Sequence, residues 1–135
     1  VGFVNTTDLP IYKIIAVGTR LNNSTIADAM LHRYQEYIAA RYAYAYLELA
    51  VKDLNRTIAA YARNTSDAGS EQDLNKISAQ LHQTLASARQ AMQLAYTQSL
   101  STYNIAQEVA HIERVTASNL SQNILNSLSF GSSLR

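Results

Sequence analysis

Apolar residues recur every seven positions along most of this chain. Between 25 and 63 one series is Met30, Tyr37, Tyr44, Val51 and Ile58, and a second is Ala40, Leu47, Leu54 and Tyr61. A repeat of 3.5 residues places one seam of a helix against a partner helix. Arg33 is the charged exception in the second series. A further apolar strip, Ile38, Tyr42, Ala45 and Leu49, predicts a buried face wide enough for more than one partner. Between 71 and 127 the same repeat returns as Leu74, Leu81, Ala88, Ala95, Thr102 and Val109, with Leu85, Met92, Ser99 and Ala106 as the second series. The middle of that seam is small, which lets two helices approach closely and leaves room for the bulky tyrosines of the other helix.

Punctuation of the pattern sets the boundaries. A short first helix is predicted over about 9–21, with Asp8 as N-cap, Pro10 in the first turn, and Ile11, Ile14, Ile15 and Val17 as apolar positions. Asn22 and Asn23 can end it, because Asn tolerates the left-handed conformation. Thr25 with Asp28 reads as a capping signal for the second helix, about 25–63, which holds no Gly or Pro. The run Asn64 to Ser70 reads as a turn, and Ser70 with Asp73 caps a third helix over about 71–127. Gly131 marks the end of regular structure. The fold class is therefore all-α: a long antiparallel, coiled-coil-like helical hairpin with a short N-terminal helix, forming a single helical domain over 1–135.

The two long helices are unequal. At 1.5 Å per residue they span roughly 58 Å and roughly 85 Å, so the last helix overhangs by roughly 27 Å. The overhang carries Ile105, Val109, Ile112, Val115, Leu120, Ile124, Leu125 and Leu128. The first helix is expected to continue the line of the second and pack on the C-terminal third of the last. If it folds back along the second helix instead, the overhang is bare and becomes a partner surface.

Composition narrows the function classes. The 135 residues are 47% hydrophobic and 16% charged, with a formal net charge of +1. That excludes a disordered chain and lacks the clustered Lys and Arg of a nucleic-acid footprint. There is no cysteine, hence no disulfide, thiolate nucleophile or Cys-ligated metal. No window reaches the ~18 apolar residues of a membrane-spanning helix. The chain begins at Val1, which reads as a piece of a longer protein.

Candidate chemistry is sparse. Glu108 and His111 form a Glu-x-x-His pair, the spacing used by helical di-iron proteins, but those sites need a second copy and two more carboxylates. His32 and His82 stand alone. No nucleophile triad, zinc-protease motif or phosphate loop is present. The chain reads as non-enzymatic, without cofactor or metal. Six of the nine tyrosines lie between Tyr34 and Tyr61, and they can serve as core or as partner surface. Tyr42 and Tyr46, four apart on one face, are the interface candidates among them. With Ile105, Ile112, Leu120 and Ile124 of the overhang they form the set of candidate partner-binding residues.

Two stretches carry a resemblance. Leu9-Pro10-Ile11-Tyr12-Lys13-Ile14-Ile15, and Tyr34-Gln35-Glu36-Tyr37-Ile38-Ala39-Ala40 followed by Tyr46-Leu47-Glu48, resemble the C-terminal region of TraH-type conjugative transfer proteins. A plasmid and an integrative conjugative element are equally compatible sources. The resemblance implies a periplasmic protein associated with the outer membrane. It implies a part in F-type type IV secretion, pilus assembly and mating-pair formation, with other transfer proteins as partners. The alternative is a helical adaptor or translocator of another secretion system. Self-association through the apolar faces is open to either.

Overall fold

The computed structural model describes residues 9–64 and 68–133, and all regular structure in them is helical. The helices are α1 (Ile11–Gly18), α2 (Ser24–Asn64) and α3 (Ala68–Ser133). The long helices α2 and α3 pack together, and α1 touches both. Within 9–133 the residues divide into two compact units. One holds 33–64 of α2 and 68–98 of α3, and the other holds α1, the start of α2 and 99–133 of α3.

The first unit realises the seven-residue seam. Tyr37 and Val51 are buried, and Ala40, Tyr44, Leu47, Leu54, Ile58 and Tyr61 are half-buried. Opposite them Met92 is buried, and Leu74, Leu81, Leu85, Ala88 and Ala95 are half-buried. The centre of this core is aromatic. The fully buried Tyr37 ring meets Tyr96 edge-on at 5.3 Å and 66°, and Tyr34 at 5.8 Å and 64°. Edge-to-face pairs of this kind add about 0.5–1.5 kcal/mol beyond the area they bury. Arg33, the seam exception, stays at the surface, where Nη1 donates to Gln98 Oε1 at 3.2 Å and lies 3.7 Å from Glu36. The neighbouring Tyr34 is buried in its stead. The second apolar strip is not buried: Tyr42, Ala45 and Leu49 are exposed and only Ile38 is half-covered. Among the described residues of this unit α3 is the helix that α2 packs on, and one partner covers one seam.

The second unit has its own core of Leu9, Ile14, Val17, Met30, Ala106 and Ala110. Of the four apolar positions expected to anchor α1, Ile14 and Val17 are buried, while Ile11 and Ile15 are exposed. The helix is shorter than its sequence pattern suggested. Thr19 ends it by donating its N–H to Ile15 O and its hydroxyl to Ala16 O. Pro10 occupies the N-cap position, and Asp8 lies outside the described residues. Asn23 caps α2: its Oδ1 accepts the N–H of Ile26 at 3.2 Å, a role Asn fills as well as any residue. Thr25 therefore falls inside the first turn and Asp28 just beyond it.

The expected collinearity of α1 and α2 is overturned. Gly18 and Met30 are twelve residues apart and would sit about 18 Å apart along one continuous axis. Instead a Cβ placed on Gly18 would meet Met30 Cε at 3.6 Å. The link 19–23 is a bend, and α1 folds back beside α2. The bend is tied to α3 by the Asn22 N–H, which donates to Glu113 Oε2 at 2.8 Å.

Two boundaries of α3 also differ. It starts at Ala68, ahead of the Ser70 cap, with Glu71 in its first turn at the positive end of the dipole. It runs through Gly131 to Ser133, since a single Gly costs only about 1 kcal/mol in a helix. Of the expected turn at Asn64 to Ser70, positions 65–67 lie outside the described residues.

Ser99 is wholly buried, and its Oγ has no hydrogen-bond partner among the described residues. An unsatisfied buried hydroxyl is a net cost, and Ala is the better helix former. Ser99→Ala is expected to raise stability by ~0.5 kcal/mol or more in urea unfolding. A loss of stability would show that the hydroxyl is bonded.

Candidate functional site

The six candidate partner-binding residues are all exposed, and they fall on three faces. Tyr42 and Tyr46 are 73% and 74% exposed on α2 and form a strip with the exposed Leu49 at i, i+4 and i+7. Ile38, Arg41, Tyr42 and Ala45 line a shallow groove at one edge of this strip. On α3, Ile105 and Ile112 form one pair seven residues apart, and Leu120 and Ile124 another four apart, continued by Leu128. These two α3 faces differ in kind. Leu120 lies two heptads beyond the buried Ala106, and Ile124 two heptads beyond the buried Ala110. They extend the seam itself. Ile105 and Ile112 point roughly 100–120° away from it around the helix.

The seam becomes exposed where the bend between α1 and α2 ends. At that place Arg20, Asn22, Ala110, Glu113, Arg114 and Ala117 line a groove of about 290 Å³. Ala117 is exposed, and so is every described side chain of α3 from Arg114 to Ser129. Sequence reasoning missed this groove, because its two walls are 91 residues apart at the Asn22–Glu113 hydrogen bond. The repeat does place Glu113 on the seam, midway between Ala106 and Leu120.

A second groove, in the first unit, is lined by Tyr44, His82, Leu85, Ala86, Arg89, Gln90 and Gln93. Tyr44 donates its hydroxyl to Glu48 Oε2 at 3.3 Å. Partial burial pushes the Tyr44 pKa up, the Glu48 carboxylate adds to the rise, and Arg89 opposes it. Tyr34 is likewise raised, first by burial and then by Tyr37, against the pull of Arg41. These shifts move tyrosines further from ionisation and prepare no acid or base near neutral pH. Glu108 and His111 are both exposed. Among the described residues no group of three or more His, Cys, Asp or Glu is placed to hold a metal ion. No described helix is long and apolar enough to cross a membrane.

The geometry thus defines a helical scaffold whose exposed apolar residues are arranged along helix faces. Comparison with known families adds the second element. The model of the TraH family, described as conjugative relaxosome accessory transposon protein, matches residues 1–49. The match contains both sequence stretches that carry the resemblance, and it covers α1 and the first part of α2. No curated protein and no solved structure matches the chain.

Proposed function

We propose that this chain is a non-enzymatic assembly component of a conjugative type IV secretion apparatus. In this reading it acts in pilus assembly and mating-pair formation by docking helix faces onto other transfer proteins. The carrying observation is the TraH match over residues 1–49, joined to the exposed strips at Tyr42–Tyr46 and Leu120–Ile124. A periplasmic place at the outer membrane follows from the family resemblance. Docking of an apolar helix face reads as anchors at i, i+3, i+4 and i+7, and both strips supply that spacing.

Exposure makes the proposal testable without unfolding the protein. Leu120 is 59% exposed, so Leu120→Asp leaves folding intact. If Leu120 and Tyr46 are anchors, each loss weakens docking by on the order of 30-fold. The measurement is donor-to-recipient transfer frequency with Leu120→Asp and Tyr46→Asp in the full-length protein, at matched protein levels. A sharp fall is expected for both. Undiminished transfer with both changes combined would sink the docking reading.

A further inference from the structure

The exposed end of the α3 seam has a chemistry that selects among possible occupants. Its apolar residues, Ala117, Leu120 and Ile124, continue the line on which α1 and α2 pack, so the vacant position suits another helix. The positions from Val115 to Ser133 include no Asp, Glu, Lys or Arg. The polar remainder of this stretch is Ser, Thr, Asn and Gln. A helix that lies on a membrane surface carries Lys or Arg along its polar face, which this one lacks.

Charge appears only at the groove where the vacant seam begins. Arg20 and Arg114 line it with Glu113, two positive charges against one negative. Among the described residues neither guanidinium pairs with a carboxylate. The Glu113 carboxylate is engaged by the Asn22 N–H. Ala110 and Ala117 give the same groove an apolar lining. Planar guanidiniums beside an apolar lining favour a carboxylate, which they can hold through paired N–H donors. Positions 115–133 of a second copy offer no side-chain carboxylate to the arginines.

We propose that the end of the α3 seam docks a helix of another protein that lays an apolar stripe on Leu120 and Ile124 and seats an Asp or Glu between Arg20 and Arg114. The inference rests on the reading that the chain works by helix docking, and it names the chemistry of one partner. Complementary charge at the edge of such a face fixes register and excludes wrong partners.

The test uses the intact chain and two synthetic amphipathic helices with the same leucine face, one flanked by glutamates and one by lysines. Binding is read by fluorescence anisotropy at low salt. The glutamate peptide is expected to bind at least about tenfold tighter than the lysine peptide. That preference should vanish in the Arg20→Gln, Arg114→Gln double variant, and Leu120→Ser should weaken both peptides. Equal binding of the two peptides, or a preference that survives the double variant, overturns the proposal. So does a dimer in light scattering that Leu120→Ser dissolves, which would make a second copy the occupant. Leu120-dependent binding to phosphatidylglycerol vesicles would make it a membrane. If the charge preference is absent while DNA transfer still depends on Leu120, the acidic partner fails and the docking function stands.

Discussion

Tyr37→Ala is expected to destabilise the first unit by about 3–5 kcal/mol, the range for removing a large buried aromatic side chain. Tyr37 is fully buried, and its ring is held edge-on by Tyr34 and Tyr96. The cost is set by how far the site can collapse after truncation. Here the seam across from α2 sets Ala88 and Ala95 on either side of Met92, so Met92 alone of these three has the side-chain length to lean toward the void. The loss therefore includes the cavity as well as the transfer free energy. Urea unfolding followed by circular dichroism checks this, with Tyr37→Phe as the companion that keeps the ring volume. A cost below about 1 kcal/mol for Tyr37→Ala would remove this ring from the core.

Ile14→Asp should detach α1. Helices shorter than about 12 residues are marginal in water by themselves, so the eight residues of α1 stay helical because Leu9, Ile14 and Val17 are buried. A carboxylate at position 14 would be desolvated without a partner, which costs several kcal/mol. Undocking relieves that strain, so the observed loss is capped at the free energy with which α1 docks, on the order of 3 kcal/mol. Hydrogen exchange is the measurement. Amides of α1 should lose protection, and those of α3 around Ala106 and Ala110 should become more open. Ile15→Asp is the control: Ile15 is 55% exposed, and its change should stay within about 0.5 kcal/mol. Equal behaviour of the two variants would show that α1 is not anchored through Ile14.

The two substitutions mark different degrees of legibility. Tyr37 was readable as core from spacing, because it belongs to the Met30–Tyr37–Tyr44–Val51 series, and every member of that series is buried or half-buried. Tyr34 and Tyr96 were not readable, since each lies one position off a seam. Their burial follows from Arg33 keeping its charge in water and from the space left by small residues. Among the candidate partner residues, spacing puts Tyr42 both in a strip read as buried and on an interface face with Tyr46, and it has the first helix cover Leu120 and Ile124; all four are exposed, and nothing in the repeat marks the division of the α3 set into two faces. The groove at Arg20 and Arg114 was invisible, because no local pattern joins residues 91 apart.

By itself the sequence determined the helices and the seam that joins them. Helical periodicity is a local property: a residue's face is set by its spacing from its neighbours, and the near-absence of Gly and Pro leaves those faces unbroken. Only the tertiary structure decided which apolar faces are covered. That depends on how many helices are on hand to cover them. Among the described residues of the first unit α2 has α3 as its one packing partner, and the strip through Tyr42 and Leu49 stays in water. The direction of α1 is a tertiary decision too. The link 19–23 allows a straight run or a reversal, and burial of Ile14 and Val17, with Glu113 holding the Asn22 N–H, selects the reversal. That reversal leaves Leu120 and Ile124 exposed, so the end of the packing seam has no cover among the described residues.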